Sequence, residues 1–390
     1  MMRFKKRHWF SIFLISVLLG GFWYLSQHIW PDVDRTKNPV KLHPPHLVFQ
    51  PAKKLHPTLR IADLHSDTLL WRRDPRKRND YGHVDLPRLR EGGVDLQVFS
   101  AVTKSPRGLN FGENAANARD DIKLLAMAQL WPPRTWNSIY ERAAYQAQRL
   151  QKLEADPNNA LKIVRKASNL NTQDGILATL LLTEGAHPLE GEIDNIARLY
   201  NEGYRAMGLQ HFFDNELGGS MHGLSKGGLT PFGREAVSEM VKQGIIIDVA
   251  HSSEAVVRDV LALTKKPIFI SHGGVLSHCP RTKKRNLPDE LTKAIAARGG
   301  IIGIGYFEGV ICDISPKGIA NAIIDAIQVL GEDAVALGSD FDGTVETTLD
   351  TSELAAITHT LIEKGLSEET IRKVMGENAY RFFSQNLPQD

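Results

Sequence analysis

Eight short apolar runs alternate with stretches of helical period over residues 59–390. Most of the runs consist of aliphatic and β-branched residues, and they lie at 59–64, 94–102, 176–182, 206–210, 244–249, 267–270, 301–306 and 334–337. Helical period is found at 234–242, 253–263, 289–297, 319–330, 351–364 and 367–386. Strands that are hydrophobic throughout and alternate with helices are typical of a parallel sheet covered by helices. Eight such units in one α/β domain predict a (β/α)8 TIM-type barrel.

The longest interruption, residues 112–173, falls between the second and third predicted strands. It contains two stretches of helical period, so we predict a helical insertion there, as a subdomain or a lid. A doubly wound open sheet would place a glycine fingerprint directly after the first strand. The sequence Asp63-Leu64-His65-Ser66-Asp67 stands at that place instead, which favours the barrel.

The N-terminal segment, residues 1–30, has the pattern of a membrane anchor. Residues 8–31 contain no Asp, Glu, Lys or Arg, and the stretch 9–25 is interrupted only by two serines and two glycines. This approaches the ~20 apolar residues that cross a bilayer. A cleaved secretory signal is the alternative, but no Ala-x-Ala site follows, and a buried core helix is a third interpretation. We predict an uncleaved transmembrane helix, with its basic N-terminus in the cytoplasm and the body of the protein outside.

The rest of the chain divides at residue 58. Residues 31–58 contain six prolines and no sustained period, and this predicts a semi-rigid, Pro-rich tether. Residues 59–390 then form the barrel domain. Cys279 and Cys312 could form one disulfide or remain two free thiols, and the sequence leaves both readings open.

Composition excludes some classes of function. The chain has 390 residues, 42% hydrophobic and 24% charged, within the ordinary globular range. Its 47 Lys and Arg stand against 45 Asp and Glu, but four of the basic residues lie in the first seven positions. The remainder is weakly acidic, whereas a nucleic-acid binder needs a clustered basic face. We therefore expect no nucleic-acid partner.

The candidate chemistry lies where the predicted strands end. Imidazoles and carboxylates follow six of the strands: His65 and Asp67, Glu184, His211, His251, His272, and Asp340 with Asp342. The carboxyl ends of barrel strands converge on one mouth, where this fold builds its active sites. These side chains are the ligands that suit zinc and other borderline divalent ions. The sequence thus predicts a metal site at that mouth.

The size of this set indicates two metal ions. One catalytic zinc usually takes three protein ligands and a water, and eight residues exceed that need. Two ions that share a bridging carboxylate fit better. Taken singly, each residue has an ordinary explanation, and Asp342 before Gly343 could be a helix N-cap. We assign the remaining barrel histidines to structural or surface positions, with His83 a candidate to orient a metal ligand: His83, His187, His278 and His359.

Seven segments resemble, in order, the signature segments of the membrane dipeptidase (renal dipeptidase) family of zinc metallopeptidases. They are Asp63-Leu64-His65-Ser66-Asp67, Thr183-Glu184-Gly185, Leu209-Gln210-His211, Asp248-Val249-Ala250-His251-Ser252, Ser271-His272, Arg285-Asn286-Leu287-Pro288-Asp289 and Gly338-Ser339-Asp340-Phe341-Asp342-Gly343. The resemblance covers the chain from about Ile61 to the C-terminal helices. It implies a binuclear zinc hydrolase on an amidohydrolase-type barrel, usually a homodimer. It also implies cleavage of dipeptides, including those with a C-terminal D-residue.

The resemblance further implies a metal-ligand set. His65 and Asp67 would hold one Zn²⁺, His251 and His272 would hold the other, and Glu184 would bridge the two. A hydroxide between such ions can attack the scissile carbonyl without a protein nucleophile.

Three more residues acquire roles by the same resemblance. His211 would contact the substrate near its carbonyl, Arg285 would clamp the free carboxylate, and Asp340 would either hold the ammonium group or shuttle a proton. Two features depart from the family pattern. Phe212 and Phe213 follow His211, which predicts an apolar pocket. Three further cations near Arg285 could replace it as the clamp: Arg281, Lys283 and Lys284.

We therefore expect a membrane-anchored, extracytoplasmic zinc dipeptidase. A second interpretation keeps the barrel and metals but changes the substrate to an N-acyl amino acid or a cyclic amide. A third, from another class, is a non-catalytic anchored binding protein. That class predicts the loss of at least one metal ligand, and the sequence lacks none of them.

Overall fold

The barrel is present, and each of its eight predicted strands appears in it. A computed structural model describes residues 2–172 and 175–389. It contains a nine-stranded parallel sheet. The strands are β1 (Ile61–Ser66), β2 (Val94–Val102), β3 (Leu161–Ile163), β4 (Leu177–Glu184), β5 (Tyr204–Gly208), β6 (Ile246–Asp248), β7 (Ile270–Gly273), β8 (Ile302–Ile304) and β9 (Val335–Leu337).

The sheet closes on itself. Hydrogen-bonded neighbours follow the order β6-β5-β4-β2-β1-β9-β8-β7. The two ends of this path meet where Val249 N donates to Phe269 O at 3.0 Å and Phe269 N donates to Ile247 O at 3.1 Å. Closure brings the carboxyl ends of all eight barrel strands to one rim.

The predicted insertion is not purely helical. Its two helices are present, but β3 adds a ninth strand that pairs with the first three residues of β4 and lies off the barrel path. This strand has only three residues, which is too short to show a period in the sequence. The longer of the two helices packs Tyr140, Ala143, Ala144 and Leu150 into the main core, so it belongs to the outer helical layer. Gln173, the last residue of the predicted insertion, lies outside the described residues.

Thirteen α-helices occur in the described ranges, and several begin at a side-chain cap. The bounds are α1 (Met2–Lys37), α2 (Gln50–Leu55), α3 (Leu86–Glu91), α4 (Asp121–Ala128), α5 (Ile139–Glu154), α6 (Asp194–Asn201), α7 (Pro231–Gln243), α8 (Glu254–Leu263), α9 (Asp289–Ala296), α10 (Pro316–Leu330), α11 (Ala355–Glu363), α12 (Glu368–Arg372) and α13 (Asn378–Asn386). Thr230, Ser253 and Ser315 accept a backbone N–H at the starts of α7, α8 and α10. Such caps satisfy donors that the first helical turn leaves free.

The C-terminal helix closes the end of the barrel that lies away from the rim. Phe382 and Phe383 of α13 pack in one buried cluster with residues of β1, β2, β4, β5, β6 and β9. Just before α13, Gly376 lies so close to Arg60 O that a Cβ there would come within 1.8 Å of it. Because Arg60 precedes β1, this contact fixes α13 at the amino ends of the strands.

The predicted transmembrane helix at residues 1–30 is not found. Residues Met2–Lys37 form one helix, but no helix in the described part of the chain is long and apolar enough to span a bilayer. Serines and glycines at positions 11, 16, 20 and 21 interrupt the apolar stretch. Met1 lies outside the described residues.

The segment predicted as a tether lies against the barrel. Asp34, at the end of α1, is buried and pairs with Arg73 at 2.8 Å. Further along, Lys41 N donates to Thr347 O at 2.8 Å, and Thr347 N donates to Pro39 O at 3.1 Å. These contacts join the segment to the loop that follows β9.

Candidate active site

The rim collects the side chains that the sequence singled out. His65 lies in β1 and Asp67 directly follows that strand; Glu184 ends β4, and His272 lies in β7. His211, His251 and Asp340 each stand three residues beyond a strand end. All seven are buried. They form three overlapping groups whose ligand atoms lie within 4.8 Å of one another: His65 with Glu184 and His272, Glu184 with His211 and His251, and His65 with Asp67 and Asp340.

Glu184 is the centre of this cluster. Its Oε1 lies 3.1 Å from Nε2 of His251, 3.5 Å from Nε2 of His272 and 3.6 Å from Nε2 of His65. Its Oε2 lies 3.4 Å from Nε2 of His211. One carboxylate thus faces imidazoles from four different strand ends, which is the position that a bridging ligand needs.

Ser271 fixes the tautomers of two of these histidines. Its hydroxyl donates to Asp248 Oδ2 at 2.6 Å, so its only proton is used. Nδ1 of His65 at 3.1 Å and Nδ1 of His272 at 2.9 Å must therefore donate to Ser271 Oγ. In its neutral form, each ring then presents an Nε2 lone pair to the cluster, as a metal-binding histidine does. Neither Ser271 nor Asp248 was predicted to orient the ligands, although both lie in the signature segments.

The carboxylates of the cluster are held in an environment that disfavours their charge. Burial raises the pKa of Glu184 well above its usual value, and the neighbouring Asp67 adds to this rise. Burial also raises the pKa of Asp340, to about 8, against the opposing effect of His65. A bound cation would reverse this effect, because it stabilises the ionised carboxylates and favours neutral imidazoles.

The histidines respond to the same burial in two ways. Burial lowers the pKa of His251 and of His272 well below its usual value. Burial would also lower the pKa of His65, but the adjacent carboxylates, led by Asp67, raise it to about 10. A protonated His65 thus supplies part of the positive charge that a cation would supply at this position.

The loop after β9 holds Asp340 in a strained conformation. Asp340, Asp342 and Thr344 have φ of +62°, +63° and +60°, a region that residues with a Cβ rarely adopt. Gly343 lies beside Asp340, and a Cβ on it would come within 2.2 Å of Asp340 Oδ1. Strain of this kind persists where the surroundings impose it, commonly at functional sites.

Among the described residues, Arg285 is the Lys or Arg that lines the cavity. Its Nη1 donates to Ala250 O at 2.7 Å and its Nη2 donates to His272 O at 3.0 Å. Arg285 is 2% exposed and lines the cavity. The three neighbouring cations are exposed and do not line it: Arg281, Lys283 and Lys284.

The cavity above the cluster has one polar and one apolar side. Its volume is about 190 Å³, below the roughly 300–1,000 Å³ typical of ligand pockets, which suits a small substrate. The apolar side includes Leu70, Phe111, Phe212 and Phe307. Phe213, in contrast, is buried and stacks on His187 with ring centroids 4.5 Å apart. Only the first of the two predicted phenylalanines therefore shapes the cavity.

Two sequence assignments need correction. Asp342 is neither a metal-cluster member nor a helix N-cap: its carboxylate accepts from Thr68 Oγ1 and His83 N at 2.8 Å, and it lies 2.8 Å from Arg73 Nη2. Since these donors occupy it, it cannot turn to the cluster. His83 accordingly orients Asp342 rather than a metal ligand, by accepting from Asp342 N at 2.9 Å.

The sequence pattern did not identify one histidine that lies near the cluster. His222 is buried, stacks on Phe212 at 4.7 Å and lies 5.4 Å from the ring of His251. It follows no strand and belongs to none of the signature segments, so the pattern offered no signal for it.

The arrangement fits metal ions. Several buried polar atoms of the cluster lack a hydrogen-bond partner in the described structure, among them His65 Nε2, Asp67 Oδ1 and Glu184 Oε2. Unpaired buried atoms are costly unless something else satisfies them, and a divalent cation would satisfy all three. A closed parallel barrel with such a cluster at its rim is the architecture of a metal-dependent enzyme.

Comparison with known proteins gives the family. A sequence model described as membrane dipeptidase (peptidase family M19) matches residues 49–388. The chain therefore belongs to the membrane dipeptidase family, and it is a hydrolase of peptide bonds. Dipeptidase tcpJ of Claviceps purpurea is 28% identical over 315 residues, 77% of this chain and 68% of that protein. Dipeptidase aclJ of Aspergillus oryzae is 27% identical over 354 residues, 85% of this chain and 79% of that protein.

Solved structures share the architecture. A crystal structure described as dipeptidase AC, a metallopeptidase of family M19, is 25% identical with a TM-score of 0.69, covering 85% of this chain and 99% of that one. A metallopeptidase from Rhodobacter sphaeroides, liganded with a phosphinate mimic of the dipeptide L-Ala-D-Ala, is 24% identical with a TM-score of 0.68. It covers 84% of this chain and 99% of its own. The family assignment confirms the resemblance seen in the sequence.

Proposed function

We propose that this protein is a zinc-dependent dipeptidase with a binuclear site, and that it accepts dipeptides with a C-terminal D-residue. The central position of Glu184 among three imidazole Nε2 atoms, at 3.1 to 3.6 Å, is the observation that carries the proposal. His65 and Asp67 would hold one ion, and His251 and His272 the other. When bound, the ions would polarise the scissile carbonyl and lower the pKa of the attacking water.

The remaining site residues bind and orient the substrate. Arg285, a buried guanidinium on the cavity wall, would pair with the free carboxylate of the dipeptide. His211 Nε2 would donate to the carbonyl oxygen as negative charge develops on it. Asp340, held by its strained loop, would accept the substrate ammonium group or pass a proton to the leaving amine. Phe111 and Phe212 would contact an apolar side chain.

One assay tests this proposal. The full-length protein is stripped of metal, reloaded with zinc and given Gly-D-Ala, Gly-L-Ala and N-acetyl-Gly-D-Ala in parallel. We expect zinc-dependent cleavage of the two free dipeptides only. Cleavage of the acetylated compound alone would instead identify an acyl-amino-acid hydrolase, and cleavage of none of the three would overturn the proposed substrate class.

We also propose that the barrel works outside the cytoplasm. Cys279 and Cys312 form a disulfide with Cα atoms 5.6 Å apart, and structural disulfides persist mainly in oxidising compartments. Thiol alkylation and mass spectrometry of the protein from its native cell test the location. Two freely alkylated cysteines would contradict it. The homodimer implied by the resemblance stays a prediction.

A further inference from the structure

A second group of metal-type ligands lies away from the catalytic cluster. His43 and His46 belong to the segment that follows α1, and Glu353 belongs to a short helical turn, Thr351–Glu353. Their ligand atoms lie within 4.8 Å of one another, and Nε2 of His43 is 3.5 Å from Oε2 of Glu353. The two imidazole rings stack with centroids 4.0 Å apart. None of the three lines the catalytic cavity.

Backbone carbonyls fix the tautomers of both rings. Nδ1 of His43 lies 2.7 Å from Pro44 O, and Nε2 of His46 lies 2.8 Å from Thr348 O. A carbonyl oxygen can only accept, so both of these ring nitrogens carry the hydrogen. In neutral rings this leaves Nε2 of His43 and Nδ1 of His46 as lone pairs. Metal-binding histidines are oriented in the same way.

The carboxylate is held in place as well. Glu353 Oε2 accepts from Asp350 N at 3.1 Å, within the capping box of its helical turn. The side chains of His43 and Glu353 are 20% and 29% exposed, so ions can reach them while solvent is partly excluded. A neutral His43 would turn its lone pair toward this carboxylate, and two acceptors repel each other unless a cation lies between them.

We propose that His43, His46 and Glu353 form a second divalent-cation site of the zinc type. Two imidazole nitrogens and one carboxylate oxygen suit zinc and its neighbours in the Irving–Williams order. Pro44 and Pro45 separate the two histidines and restrict the backbone between them. The proposal does not depend on which ions the catalytic cluster holds.

The site would fasten the N-terminal segment to the barrel. The same two chain segments are already joined by the hydrogen bonds between Lys41, Pro39 and Thr347, and by an ion pair between Lys41 and Glu346 at 2.7 Å. A cation bound by His43, His46 and Glu353 adds a cross-link between residues about 310 apart in the chain, and its binding energy becomes stability of the joined state. The barrel residues held in this way, Thr347 and Glu353, follow Asp340 in the chain. The site would therefore fasten the continuation of the loop that carries Asp340.

The test counts zinc in variants of the full-length chain. Wild type, the double variant His43→Ala/His46→Ala and the control His278→Ala are equilibrated with buffered free Zn²⁺ from nanomolar to micromolar. His278 is a partly buried histidine that pairs with Asp325 at 2.7 Å and, among the described residues, belongs to no group of three metal-type ligands. We expect wild type and control to bind one more zinc per chain than the double variant. This difference is independent of how many ions the catalytic cluster binds.

Hydrogen exchange and a milder variant complete the test. Zinc should slow amide exchange over residues 38–49 in wild type and not in the double variant. Glu353→Gln keeps an oxygen for Asp350 N, so it should fold, and it should weaken the extra zinc about tenfold or more. Equal zinc counts in wild type and the double variant would overturn the proposal. So would unchanged exchange, or full affinity in Glu353→Gln. A protonated His43 paired with Glu353 would give these results.

Discussion

Arg73 lies 2.8 Å from Asp342, two residues after Asp340, and the same guanidinium lies 2.8 Å from Asp34 at the end of α1. All three side chains are buried. One buried cation thus serves two carboxylates, one from the catalytic loop and one from a segment that precedes the family match at residue 49. The N-terminal segment is therefore part of the structure that holds the catalytic loop.

Removal of the Arg73 charge should destabilise the protein and lower its activity. Arg73→Met leaves two buried carboxylates unpaired, and breaking a buried ion pair costs about 3–5 kcal/mol. Chemical denaturation and dipeptidase assays measure both effects. Arg35→Met is the matched control, because Arg35 pairs with Asp80 on the surface and such pairs contribute about 0–1 kcal/mol. Equal losses in the two variants would contradict a special role for Arg73.

The charge of Asp34 should make stability depend on pH. Burial raises the pKa of Asp34 to about 6 from 3.8, so the folded protein binds this proton more tightly than the unfolded chain does. Stability from this group is therefore present at low pH and is lost as the pH rises through about 6. Relative to Asp34→Asn, wild type should lose about 2–3 kcal/mol between pH 4 and pH 7.5. Asp32→Asn, an exposed neighbour, should show no such difference in parallel denaturation curves.

Substitution of the central carboxylate should abolish activity. Glu184→Gln replaces the anion that faces three imidazole Nε2 atoms with a neutral amide, which cannot offset two cations. We expect kcat to fall roughly a thousandfold or more, which corresponds to about 4 kcal/mol, together with a loss of bound zinc. Glu192→Gln, an exposed glutamate beyond β4, should retain both activity and metal. Full activity in Glu184→Gln would refute the bridging role.

The sequence predicted those parts of the fold that leave a local pattern. Eight apolar runs identified eight strands, and their polar ends identified His65, Glu184, His251 and His272, because strand ends in a barrel share a rim. The three-residue strand β3 left no pattern and was missed. Residues 1–30 were predicted as a membrane anchor and residues 31–58 as a tether, and the structure instead shows that Asp34, in the predicted tether, reaches the barrel.

Other features of the site depend on pairs that no local pattern links. Arg73 and Asp342 are far apart in the chain, and nothing near either residue indicates the other. Ser271 matters because its single proton goes to Asp248, a fact of geometry rather than of spacing. His222 reaches the cluster through the stacked ring of Phe212 and the nearby ring of His251. Such contacts become visible only once the tertiary structure is known.

Arg285 should act on substrate binding through its charge. Arg285→Lys keeps the charge but loses the planar group that donates to Ala250 O and His272 O, and Arg285→Ala loses both. We expect Arg285→Ala to raise KM for dipeptides about 100-fold, since truncating one member of a buried charge pair costs about 2–5 kcal/mol, and Arg285→Lys to raise it less. For an analogue without the free carboxylate, the same substitutions should raise KM far less. Lys284→Ala, an exposed neighbour, should behave as wild type; a large effect there would move the clamp to that residue.

Phe212 should set a preference for apolar side chains. It lines the cavity and contacts Phe111 and His222, with ring centroids 5.7 and 4.7 Å away, so a polar residue here would expose the apolar wall to water. Wild type is compared with Phe212→Asn on Leu-Gly, Gly-Leu and Gly-Gly. The relevant substrate is the leucine dipeptide that the wild type prefers over Gly-Gly. In Phe212→Asn, the ratio of its kcat/KM to that of Gly-Gly should fall about tenfold or more, because each lost apolar contact is worth about 1–3 kcal/mol. Since Gly-Gly has no side chain to place against this wall, its kcat/KM should change little. If kcat/KM fell equally for all three substrates, Phe212 would be supporting the metal cluster through His222 rather than selecting the substrate.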